Sequence, residues 1–196
     1  MFGTRRYTSI ADLEFAVRLA HRPEAARLGV VTRYARDVRV GDLKERNVIL
    51  LGARQSNPWV GLFEKEATFR LDENERTAGL RIVNLAPQQG EPATFDKSPA
   101  EMAEEVYGII TYHRHTDGSG ISLLVAGMTV AGTEAAADFL FDDSRLVPWL
   151  RRVEAGGEIR DFDILLRARN LVGSAPRAEV VSFHLKPLPN PSARKR

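Results

Sequence analysis

The sequence predicts an α/β fold: one domain built on a mixed sheet, with parallel central strands flanked by helices and antiparallel hairpins at the edges. Three observations carry this. Asn47 to Glu66 (NVILLGARQSNPWVGLFEKE) and Ile121 to Leu140 (ISLLVAGMTVAGTEAAADFL) each run from a short apolar stretch through a glycine into helical spacing. Such non-alternating apolar runs are those of strands covered on both faces, and two strand–loop–helix units imply a parallel pair. The third observation is a set of alternating runs separated by turn-forming residues, which read as hairpins.

Taken in order, Ser9 followed by Asp12 has the spacing of a capping box. Ile10, Leu13, Ala16, Val17 and Ala20 mark one helical face that ends near Arg22-Pro23. Leu28 to Tyr34 (LGVVTRY) reads as a strand, and a short connector leads to the Val48 strand. Gly52 provides the exit, Asn57 is the expected cap, and Pro58 is the expected first residue of the next helix, where a missing N–H costs little. Thr68 to Leu71 and Leu80 to Leu85 flank DENERTAG as a hairpin. Residues 84–99 hold Pro87, Gly90, Pro92 and Pro99, an irregular excursion that reads either as a structural flap or as a segment closing over something.

Ser98-Pro99 begins one helical turn before a strand from Tyr107 to His113, whose partner across HTDGSG is the Ile121 strand. After Gly127, Gly132 and Thr133 stand where a helix would start, with Thr133 as N-cap and Glu134 in the first turn, and Ala135, Ala136, Phe139 and Leu140 at helical spacing. Ser144 is the expected cap of a last helix, with Pro148 still in its first turn. Phe162 to Arg169 and Glu179 to Leu185 form a closing hairpin. The domain is expected over residues 1–187, followed by a disordered proline-rich basic tail over 188–196.

Composition excludes several function classes. At 196 residues the chain suits one well-buried domain, and no apolar run approaches the ~20 residues that span a bilayer, so no membrane association is expected. No apolar stretch follows the charges of MFGTRRYTSI, so no secretory signal is read. The absence of cysteine removes disulfides, thiolate zinc sites and thiol catalysis, and fits a cytoplasmic setting. A net charge of +2 with dispersed basic residues gives no footprint for direct nucleic-acid binding. The one basic cluster, Arg194-Lys195-Arg196, reads as a solvated end rather than a phosphate-binding arm.

Three constellations bear on chemistry. Gly127 to Thr133 has G-x-x-x-x-G spacing, but Thr133 occupies the place of the phosphate-binding lysine and Glu134 follows, against a triphosphate. Arg54, Gln55, Ser56 and Asn57, beside Trp59, offer donors suited to a carboxylate, phosphate or sugar, or else serve only to cap the helix. His113, His115 and Asp117 have a pattern some metal sites share, but His21 and His184 are in no ligand context, and no metal or cofactor is expected. Asp161 and Asp163 read as a solvated strand edge. No catalytic residue is assigned, because no nucleophile–base pair is visible.

The motifs LLGARQSNPWVGLFE, LLVAGMTVAGTEAAADFL and DILLRARNLVGSAPRAEVVSF, in this order, resemble a family of uncharacterised bacterial domains often carried behind a winged helix-turn-helix DNA-binding module. The likeness runs from about Ser9 to Leu185, with Gly52-Ala53-Arg54 departing from a Gly-Gly-Pro form. It implies a sensory or interaction module, the effector part of a transcriptional regulator, with no established catalytic residues.

In an open sheet, ligands bind beyond the carboxyl ends of parallel strands. The expected ligand-binding set is therefore Gly52, Arg54, Ser56 and Asn57 facing Gly127, Thr129, Gly132, Thr133 and Glu134. Two helix N-termini and Arg54 favour a small polar or monoanionic ligand, with a protein partner as the other candidate occupant and a homodimer among the candidate assemblies. An enzyme acting on a phosphorylated or glycosidic small molecule, and a structural or dimerisation domain, are the alternatives.

Overall fold

A computed structural model describes residues 8–43, 46–74, 79–115, 119–171 and 177–187. In chain order the elements are α1 (Ile10–Ala20), α2 (Pro23–Arg27), α3 (Val40–Leu43), β1 (Val48–Leu51), α4 (Val60–Phe63), β2 (Phe69–Asn74), β3 (Gly79–Asn84), β4 (Thr94–Phe95) and α5 (Pro99–Met102). The chain continues with β5 (Glu105–Arg114), β6 (Ile121–Gly127), α6 (Val130–Phe141), α7 (Asp143–Val153), β7 (Glu154–Ala155), β8 (Glu158–Ile159), β9 (Phe162–Arg169) and β10 (Glu179–Leu185).

The main sheet has the order β1-β6-β5-β9-β10, with β1 and β6 parallel and every other pair antiparallel. The expected parallel pair thus forms, in the register Leu50 opposite Leu124. Only β6 is interior, however. β1 is the margin of the sheet, and β5 holds the middle, with its hairpin partner β6 on one edge and the sequence-distant β9 on the other.

Alternation along the strands sorts their side chains into two cores. Val106, Ile110, Val125, Ile164 and Leu166 face α6 and α7, where Ala136, Phe139, Trp149 and Val153 meet them. Ile109, Leu124, Ala126 and Leu165 face the opposite way, onto Phe69, Leu71 and Ile82 of a separate three-stranded sheet, β2-β3-β4. Burial on both faces explains why β5, β6 and β9 read as unbroken apolar runs.

The capping box at Ser9 is present: Asp12 N–H donates to Ser9 Oγ at 3.1 Å, and α1 follows. Ser98 and Glu101 cap α5 in the same reciprocal way, with backbone-to-side-chain bonds of 2.8 and 3.3 Å. The turns of the β2–β3, β5–β6 and β9–β10 hairpins, including Asp117, fall at least in part outside the described residues, as do residues 188–196.

Besides the place of β1, four further expectations change. Leu28 and Gly29 form the turn that ends α2, and Val30 to Tyr34 pairs with nothing as a strand, so composition alone did not supply a partner. The helix after Asn57 starts at Val60 and lasts a single turn, although Asn57 Oδ1 does accept from Trp59 N–H at 3.2 Å. Helix α6 starts at Val130, capped by Thr129 and not by Thr133, since Thr129 Oγ1 accepts from Gly132 N–H at 3.2 Å. Asp142, not Ser144, caps α7, which leaves Pro148 beyond the first turn.

Candidate functional site

Gly52 ends β1 with φ +83°, a left-handed conformation that glycine adopts without strain. Its N–H donates to Val125 O at 2.9 Å, so both glycine turns lie at the same end of the sheet. A Cβ here would sit 2.5 Å from Ser56 Oγ and 3.8 Å from Asp12 Oδ2, which shows how closely the turn and α1 converge. Ser56 Oγ donates to Ala53 O at 2.9 Å, and Asn57 Nδ2 donates to Leu51 O at 3.3 Å. Trp59 Nε1 donates to Ala35 O at 2.7 Å, tying this turn to the segment before α3.

On the neighbouring strand, Gly127 and Gly132 are packing glycines. A Cβ on Gly127 would overlap the main chain of Gly132 and Thr133, and one on Gly132 would overlap Tyr107 O. The G-x-x-x-x-G spacing therefore reflects the close seating of α6 on β5 and β6, with no loop wrapped around an anion. Thr133 Oγ1 donates back to Thr129 O at 3.3 Å.

Gly52, Ser56, Asn57, Gly127, Thr129 and Thr133 line one groove of about 2300 Å³. Its other walls come from α1 and from residues within 28–43. Asp12 is on this lining; burial pushes its carboxyl up, against bonds from Ser9 that act the other way.

Arg54, Gly132 and Glu134 are not on the lining. Arg54 is 52% exposed and forms an ion pair with Glu64, which is only 4% exposed. Glu134, in the second turn of α6, is not the first-turn carboxylate the sequence suggested. Helix α4 is too short to present a dipole, so of the two helix N-termini expected from the glycine units only that of α6 reaches the groove. The carboxylates lining the groove, Asp12, Glu24, Asp42, Glu73 and Asp143, outnumber the guanidinium groups of Arg22, Arg33 and Arg46. Arg22 and Arg33 are already paired, with Asp143 at 3.2 Å and Asp42 at 3.3 Å.

Two polar clusters that the sequence did not signal lie elsewhere. Asp163, expected on a solvated edge, is fully buried: Nε2 of His113 is 3.2 Å from its Oδ1, and Oδ2 accepts from Thr68 N–H at 3.0 Å. Lys186 Nζ is 3.4 Å from the same carboxylate. Burial opposes ionisation of Asp163, yet the His113 bond and charge, Lys186 and the Thr68 N–H hold its pKa below the usual range. His115 turns away, 3.3 Å from Ser119 Oγ and against the Phe63 ring. Glu91, in the loop between β3 and β4, bonds Ser182, His184, Asn84 and the Gln88 N–H. The excursion of residues 84–99 is thereby fixed to β10 as a flap. Among the described residues no group of three metal-ligating side chains converges, and no helix is long and apolar enough to cross a membrane.

Comparison with family models, with curated proteins and with solved structures finds no match to this chain.

Proposed function

We propose that the chain is a non-catalytic regulatory binding module whose site is the groove at the carboxyl ends of β1 and β6. The observation that carries this reading is the convergence of six of the nine expected residues on that one groove. Both His–carboxylate pairs described above lie outside its lining, and serve to fix the second sheet and the flap. The polar side chains at the groove end are engaged in caps and turns, which suits them to shaping a binding surface. The surplus of lining carboxylates and the engagement of Arg54 by Glu64 favour a neutral or cationic occupant over an anion. The resemblance to domains behind winged helix-turn-helix modules would make this the effector-sensing part of a transcriptional regulator.

The test is differential scanning fluorimetry of the chain with a panel of polyols, sugars, monocarboxylates and short synthetic peptides, repeated on Val130→Trp. Val130 is 47% exposed on the groove wall, so the larger ring fills the groove without entering the core. A stabilising shift that Val130→Trp abolishes supports the reading. A panel without any shift, or shifts that Val130→Trp leaves intact, would overturn it.

A further inference from the structure

Resting on that reading of the groove, the identity of its occupant follows from the margin of the sheet. In a parallel ladder, alternate residues direct both main-chain groups to the same neighbour. Because Gly52 N–H donates to Val125 O, the groups of Val48 and Leu50 also face β6, and those of Ile49 and Leu51 face the groove. The Leu51 carbonyl is taken by Asn57 Nδ2. For Ile49 N–H, Ile49 C=O and Leu51 N–H, no hydrogen bond closes from any described residue.

Proteins usually guard such a margin with charge, proline, a bulge or a cover. The opposite margin of this sheet is guarded in that way: β10 has a register break between Val180 and Ser182, and the Glu91 flap bonds Ser182 and His184. By contrast β1 is Val-Ile-Leu-Leu, with Ile49 39% exposed, and its whole length lines the groove. Also on the lining is the segment Val30 to Tyr34, with Val31 72% exposed. The volume, about 2300 Å³, exceeds the ~300–1,000 Å³ typical of small-molecule sites.

We infer that the groove receives an extended segment of a partner protein that adds a strand to β1, with alternate apolar side chains and at least one lysine or arginine among them. The main-chain groups of Ile49 and Leu51 supply the pairing, and Ile49 and Val31 supply apolar contact on either side. The basic side chain is selected by charge: the lining carries more carboxylates than guanidinium groups, although the chain as a whole has a net charge of +2.

The experiment uses fluorescence anisotropy of the full chain with a fluorescein-labelled octapeptide of sequence Thr-Val-Lys-Val-Thr-Val-Lys-Thr. Two comparators are the same peptide with alternate backbone nitrogens methylated, and a version with both lysines replaced by glutamate. Hydrogen exchange reads the amides of Ile49 and Leu51. The expected result is binding of the parent peptide, with each comparator about tenfold weaker or worse, and protection of the Ile49 amide on binding. Equal binding of the methylated peptide overturns strand addition, and equal binding of the glutamate peptide overturns the charge selection. An Ile49 amide already protected in a self-associated form without peptide makes a second copy the occupant, and overturns the inference likewise. If a polyol or carboxylate binds in a Val130-dependent way while no peptide does, the inference fails and the binding-module reading stands.

Discussion

Nε2 of His184 lies 2.9 Å from Oε2 of Glu91, so a residue of β10 and a residue of the loop between β3 and β4 hold the two sheets at one corner. Burial alone would raise the Glu91 pKa. The bonds from Ser182, the Gln88 N–H, Asn84 and His184 outweigh it and lower the value to about 2. A carboxyl whose folded pKa is depressed adds stability above its ordinary pKa and loses it as pH falls toward the folded value. For Glu91 that window runs from 4.5 down to about 2. Urea melts across this range should show a shallower acid loss for Glu91→Gln than for the unaltered chain. At neutral pH Glu91→Ala should cost about 1–3 kcal/mol, by leaving His184 and Ser182 without their acceptor.

Removing one member of the buried His113–Asp163 pair leaves the other uncompensated. Asp163→Ala should destabilise by about 3–5 kcal/mol, and release the Thr68 N–H and Lys186 at the same time. Since the Asp163 pKa is also depressed, the pair contributes above the normal aspartate range and fades in acid. Chemical denaturation of the variant at neutral pH, where the loss is complete, is the measurement.

The glycine contacts give a steric test. Gly127→Ala forces a Cβ into the main chain of α6 and should cost about 1–3 kcal/mol or more, read as a fall in Tm. Gly41→Ala, in α3 with nothing within 4 Å and no left-handed φ, should be neutral or gain up to about 1 kcal/mol. If Gly127→Ala were as mild as Gly41→Ala, the close seating of α6 would be wrong.

Arg54→Ala separates two roles for the same side chain. A ligand-holding arginine could be lost with little effect on folding, whereas here its loss strands Glu64, which is almost fully buried. The expected result is a destabilisation of about 1–3 kcal/mol in the absence of any ligand. Glu64→Gln combined with Arg54→Ala should recover part of it, because the buried charge is gone.

How far the sequence carried the fold depended on whether a signal was local. The Ser9–Asp12 box, the Gly52 exit and the β5–β6 hairpin are decided by neighbouring residues, and all are as read. Leu28 to Tyr34 has strand composition but no partner, and strand formation needs one. Thr129 rather than Thr133 caps α6 because Gly132 must sit inside the helix to meet Tyr107 O, a contact between segments distant in the chain. That the glycine turns of β1 and β6 lie at the same end of the sheet was legible from the two strand–loop–helix units. The far wall of the groove, including Asp12 and residues within 28–43, was not, because α1 reaches it only by packing on α6. Asp163 and Glu91 were illegible for a related reason: their partners lie on other strands.

The parallel pairing of β1 with β6 also bears on the order in which the chain assembles. The β2–β3, β5–β6 and β9–β10 pairs close over short stretches of chain, while β1 must wait for β6 to be made far downstream. Long-range pairings close late, because the loop entropy is lost before the contacts are gained. As a marginal strand with one ladder partner, β1 should also be among the first elements to open from the native state, ahead of β5 and β9. Its amides should then exchange through a local opening of lower free energy than global unfolding. Assembly of the N-terminal third would thus be a late docking event on a preformed β5–β6 hairpin, and the groove would be the seam of that docking.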